Sequence, residues 1–175
     1  MISNASPLIN FAKVNKLELL IKCIGTVVIT EGVLAEIVKK EGFAQEAQLL
    51  SEQIVQQKIL AKKLNPEYLN KAEQLRNVFK LGVGESEAIA FALQEGESDV
   101  LMDDSDGREA AELNGRNPVG SLRVLLLAFD KGLASEDEVL KTFRKMVENK
   151  FWIGGDLTIK FLELFEKLKK SKRKR

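Results

Sequence analysis

Residues 99–104 read DVLMDD, a short apolar run that stops against two adjacent carboxylates. A run of this length, bounded by turn formers, is the pattern of a buried strand. The next stretch is helical: REAAELN (108–114) closed by Gly115, then NPVG (117–120) as a brief strand or turn, then SLRVLLLAFDKG (121–132). The alternation recurs upstream, where residues 1–4 and TVVIT (26–30) read as short strands running into helical PLINFAKV (7–14) and EGVLAEIVKK (31–40). Thr30 is placed to cap the second of these helices, with Glu31 in its first turn and Gly42 just past its end. Repeated strand-then-helix order calls for a parallel sheet covered by helices.

Between these halves, 44–57 and 66–80 are polar and helix-prone, with IVQQKIL (54–60) as a candidate strand. LGVGESEAIAFALQEG (81–96) gives a glycine-punctuated turn and a helix whose AIAFAL segment is apolar on every side. Such a helix must be covered on both flanks and belongs at the centre of the molecule. SEDEVLKTFRKMVENK (135–150) and LTIKFLELFEKLKK (157–170) finish the chain as helices separated by FWIGGD (151–156). No internal repeat or linker marks a second domain. The expected fold is α/β: three layers, α/β/α, around a central, mainly parallel sheet of four to five short strands, with a helical C-terminal extension. One domain covers 1–168, and 169–175 form a basic tail expected to be disordered.

With 175 residues, 45% hydrophobic and 30% charged, the chain suits one core that buries roughly two-thirds of its unfolded surface. No apolar run approaches the roughly 18 to 20 residues needed to span a bilayer, so a membrane partner is not expected. The start, MISNASPLINFAK, has neither a basic n-region nor an extended apolar h-region, and a cytoplasmic protein is expected. The single cysteine, Cys23, sits in LLIKCI and reads as a buried hydrophobe. Histidine is absent, which removes Ser-His-Asp and Cys-His nucleophiles and nearly every zinc site. Carboxylates, Lys, Ser/Thr and oxygen-ligated Mg²⁺ or Mn²⁺ are left for catalysis. Net charge is +1, yet the last nine residues, KLKKSKRKR, carry seven positive charges and no acid. A tail of that kind is a solvated end or a salt-sensitive grip on phosphates.

In an open parallel sheet, ligands bind at the carboxyl ends of the strands, where strand order reverses. Asp103 and Asp104 terminate one strand there, and Asn4 with Ser6 occupies the equivalent end of the first. Glu36 is the one acid inside VLAEIV, and Glu85 and Glu87 open the apolar helix. First-turn positions i and i+2 point about 200° apart, so the last two cannot both face one spot. Glu85 shares a stripe with Ala88, Ile89 and Ala92, and Glu87 one with Ala90 and Phe91; both stripes are apolar and the choice stays open. Each acid also has a local explanation, as a turn and N-cap device, a complement to a helix dipole, or a solvated edge position. Together they are unfavourable without a cation, and they suit an ion that lowers the pKa of a bound water and clamps the oxygens of a phosphodiester.

Taken in order, NASPLINFAK (4–13), VLAEIV (33–38), LGVGESEAIAFAL (81–93), DVLMDDSDGREAAELNG (99–115) and GSLRVLLLAFDKGL (120–133) resemble the PIN-domain family of metal-dependent ribonucleases. The likeness is to VapC-like toxins and a related branch of bacterial and archaeal PIN-like proteins, and it covers nearly the whole chain. By position, the family's four acids fall on Asn4, Glu36, Glu85 and Asp104, which the resemblance makes the catalytic set. It implies Mg²⁺ or Mn²⁺ held by Glu36, Glu85, Asp103 and Asp104, with Ser6 as a small hydroxyl close by and Glu87 and Asp106 as alternates. The family usually has Asp where this chain has Asn4, and a neutral amide ligand lowers metal affinity. The implied activity is cleavage of RNA, as the toxin of a toxin-antitoxin pair with a small antitoxin as partner. Ser6, Arg108 and Arg116 are candidate nucleic-acid contacts, and the apolar helix FLELFEKL (161–168) suits a homodimer as well as a core. The alternative is a catalytically weak PIN-like module that binds nucleic acid or protein. LGVGESE superficially resembles a phosphate-cradling loop but lacks a GK[ST] ending.

Overall fold

The computed structural model describes residues 1–39, 44–151 and 153–173; Gly42, expected just past a helix end, lies outside them. The chain begins β1 (Ile2–Ser3), α1 (Ala5–Lys13), α2 (Leu17–Ile24), β2 (Val27–Thr30), α3 (Glu31–Lys39) and α4 (Ala44–Val55). It continues through β3 (Ile59–Lys62), α5 (Pro66–Phe79), α6 (Val83–Glu95), β4 (Asp99–Leu101), α7 (Ser105–Leu113) and β5 (Asn117–Val119). Helices α8 (Ser121–Asp130), α9 (Glu136–Glu148) and α10 (Gly155–Lys172) close it.

The strands form one parallel sheet in the order β3-β2-β1-β4-β5, with Ile2 opposite Val28 on one side and Val100 on the other. Side chains alternate between its faces. Val27, Ile29, Leu101 and Val119 join one core, with Leu8 and Phe11 of α1, Leu20 of α2, Leu50 of α4, Val124 of α8, Val139 of α9 and Phe161 of α10. Ile2, Val100 and Met102 join the other, beneath α5, α6 and α7. This is the three-layer α/β/α arrangement the strand-helix alternation calls for. Helix α6 lies at its centre: residues 88–92 are all buried, against the sheet below and α3, α5 and α7 around them.

One local expectation needs revision. The strand sought at 54–60 starts later, because α4 runs to Val55 and Gln57, at φ 55°, turns the chain in the left-handed region before β3 begins at Ile59. At the basic end, α10 continues to Lys172. Lys169 pairs with Glu136 and with Glu166, the latter at 2.7 Å, and the Lys172 ammonium donates to the Phe129 carbonyl and lies 4.8 Å from the centre of that ring. A stacked Phe143–Phe161 pair at 4.8 Å anchors α10 on α9.

The apolar LLIKCI run lies in the helix α2, split from α1 by Asn15 at φ 55°. It buries Cys23, whose thiol pKa is raised by that burial. Among the described residues no helix is long and apolar enough to cross a membrane.

Candidate active site

The chain moves from β1 to β2 and β3 on one side, then returns to β4 and β5 on the other, so strand order reverses between β1 and β4. The crevice at the carboxyl end of that pair is where an open α/β sheet binds ligands. Asn4 borders it, tied in place by its backbone N–H, which donates to the Leu101 carbonyl at 3.1 Å. Its side chain makes no cap to α1, and Oδ1 is buried with no hydrogen-bond partner among the described residues. Buried polar oxygens are rarely left so, because the lost hydration is uncompensated.

Two glutamates meet the start of α6. Glu85 reaches back so that its Oε2 accepts from the Gly82 N–H at 2.9 Å, half of a capping box. Glu36 arrives from α3, and its Oε1 accepts from the Gly84 N–H at 2.9 Å. Gly84 permits that approach: a Cβ there would stand 2.8 Å from the Glu36 Cδ. The glycine spacing in LGVGESE therefore brings carboxylates, not phosphates, onto these backbone donors. Glu87 goes elsewhere, its Oε2 accepting from Gly32 N–H at 2.9 Å at the start of α3. Of the two glutamates the sequence left open, only Glu85 stands with other acids.

The adjacent aspartates past β4 also part company. Asp104 caps α7, its Oδ1 accepting from the N–H groups of Asp106 and Gly107 at 3.0 Å each, and it is exposed. Asp103 turns the other way. Its oxygens accept from the Ser121 N–H at 2.7 Å, the Ser121 hydroxyl at 2.6 Å and the Asn10 amide at 2.9 Å, with Arg108 beside it. Burial raises the Asp103 pKa, opposed by the bonds from Ser121 and Asn10 and by the Arg108 charge. These bonds fasten α1 and α8 to the end of β4 through Asp103.

Glu85 gathers the remaining acids. Its pKa is raised first by burial and then by the charges of Asp104, Glu36 and Asp106, against the opposing Gly82 hydrogen bond. Among the described residues, however, no three carboxylates stand close enough together to form a metal-binding group. The separate backbone donors explain the spread, since Glu36, Glu85 and Asp104 each lean on a helix start rather than on one another. The orphaned Asn4 Oδ1 and the acidic surroundings of Glu85 still fit a hard cation. Mg²⁺ takes only one or two carboxylates directly and keeps several waters.

Ser6 shares a cleft of about 480 Å³ with Asn10, Lys13, Asp104 and Lys150. The two arginines expected at phosphate are engaged structurally. Arg108 donates from Nη1 to the Met102 carbonyl at 3.1 Å. Arg116 lies at the opposite end of the sheet, just before β5, whose Asn117 pairs with Asp99 at the start of β4; its Nη1 donates to the Glu97 carbonyl at 2.8 Å. Asn10 and Ser121 were missed as partners of Asp103. Gly120, directly before Ser121, permits the approach: a Cβ there would stand 3.3 Å from Asp103 Oδ1.

A family model for the PIN domain matches residues 1–167. The chain belongs to the PIN-domain family. No curated protein and no solved structure matches it.

Proposed function

We propose that this PIN domain is a Mg²⁺- or Mn²⁺-dependent endoribonuclease whose ion is held by Glu85 and Asp104, with Glu36 and the Asn4 amide oxygen completing the site. Two observations support this: the buried Asn4 Oδ1 at the strand-order reversal, without a hydrogen-bond partner among the described residues, and the charges of Asp104, Glu36 and Asp106 that help raise the Glu85 pKa. Bound there, the ion would lower the pKa of a water and polarise the scissile phosphodiester. The chain's own part is positional. Gly82 and Gly84 N–H groups hold Glu85 and Glu36 at the start of α6, and the α7 cap fixes Asp104 through Oδ1, leaving Oδ2 free of hydrogen bonds among the described residues.

Titration of the purified protein with Mn²⁺ on single-stranded RNA tests the activity. Cleavage is expected from the natural chain and not from the Glu85→Ala, Asp104→Ala double variant; equal cleavage by both refutes it. The same proposal makes the protein a cytoplasmic toxin restrained by a small antitoxin, and co-purification with the product of a neighbouring gene checks that role. A second reading, a non-catalytic module, draws on the neutral Asn4. Under it, calorimetry finds no Mn²⁺ binding at millimolar metal while RNA binding persists, and Asn4→Asp restores metal affinity.

A further inference from the structure

The cleft that holds Ser6 and Asp104 has a second wall unrelated to the acid set. It comes from the C-terminal extension, where Lys150 and Phe151 leave the end of α9 and face α1 across the cleft. The wall is built rather than incidental. The Lys13 ammonium donates to the Asn149 carbonyl at 3.4 Å, tying the end of α1 to the end of α9. Phe151 N–H returns to the Met146 carbonyl at 3.0 Å and Lys150 N–H to that of Val147 at 3.1 Å, closing the helix with Lys150 at φ 62°. That left-handed position is the one glycine normally fills, because an L side chain is strained there. Here it carries an exposed ammonium instead. Phe151 is half-buried, packed against the core while also lining the cleft. One end of the cleft is therefore acidic and the other cationic and aromatic.

We propose that this cleft is the path of a single-stranded RNA, with Lys150 on its phosphates and a base stacked on Phe151, leading the strand to Asp104. The proposal rests on the ribonuclease reading for its substrate, and it gives the C-terminal extension a positioning role in that reaction. A cation beside an aromatic ring is the common chemistry of single-strand grooves: charge tracks the backbone, and any base offers a face to stack. An acidic peptide would use the lysine but has no need of the ring.

Fluorescence anisotropy with a labelled single-stranded oligouridine, in EDTA so that nothing is cleaved, tests it. Lys150→Gly suits the left-handed backbone and should leave the fold intact. It is expected to weaken RNA binding and to lower the slope of log K against log salt by about 0.7, the share of one contact to a single strand. Phe151→Leu keeps most of the packing and should weaken binding about fivefold with the slope unchanged. Undiminished affinity in both variants, no RNA binding by the natural chain, or a loss confined to an acidic peptide competitor would overturn the proposal. Because these measurements need no turnover, they succeed or fail independently of the Mn²⁺ cleavage assay.

Discussion

Asp103 and Glu85 anchor two acid centres at the same edge of the sheet, and they are solved in opposite ways. Around Asp103, negative charge meets donors: the Ser121 backbone and hydroxyl, the Asn10 amide and the Arg108 guanidinium. Around Glu85, negative charge meets more of the same from Asp104, Glu36 and Asp106, with the Gly82 N–H as its own donor. The first centre is a fastening, complete without anything else. In the second, like charges face Glu85 and raise its pKa. Adjacent acids in a sequence can thus belong to different tasks, and what separates them is how fully each charge is answered.

Substitutions can break that contrast. The largest expected effect is Asp103→Ala, which strands the Ser121 and Asn10 donors and the Arg108 charge; urea unfolding should show a loss of about 3 kcal/mol. Glu87→Gln removes a charge from the start of α3 and should cost only about 0.5 to 1 kcal/mol by the same measurement, with Mn²⁺-dependent cleavage retained. Gly84→Ala pushes its new Cβ into the flexible end of Glu36, so stability should move by less than about 0.5 kcal/mol while cleavage falls, separating the acid centre from the scaffold.

The smallest effect is in pH dependence. The folded-state pKa of Glu85 lies above its ordinary 4.5, chiefly through burial. Below 4.5 the group is protonated in both states and its contribution is fully present; as pH rises towards the raised value, the unfolded chain ionises first and that stability is lost. Stability measured without metal should therefore fall with pH above 4.5, and fall less steeply in Glu85→Gln.

Much of this was legible in the order of residues. The alternation around DVLMDD carried the parallel sheet, and the all-apolar AIAFAL carried the central helix, because both are patterns of burial along one element. Thr30 was legible as a cap, and its hydroxyl does accept from the Val33 N–H at 3.3 Å. The turn at Gln57 was not, since a glutamine at φ 55° has no composition signal. Nor was the parting of Asp103 from Asp104, which depends on which way each side chain turns beyond the end of β4. Asn10 and Ser121 are neutral residues whose role appears only once α1 and α8 meet the strand. The carbonyls of Met102 and Glu97, to which Arg108 and Arg116 donate, carry no signal in the order of residues.

A crystal soaked in Mn²⁺, with anomalous scattering used to locate the ion, tests the central claim most directly. A single strong peak bonded to Asn4 Oδ1 and to the Glu85 and Asp104 carboxylates is the expected result. Manganese bound at other residues, or none bound while those side chains are ordered and accessible, would contradict it.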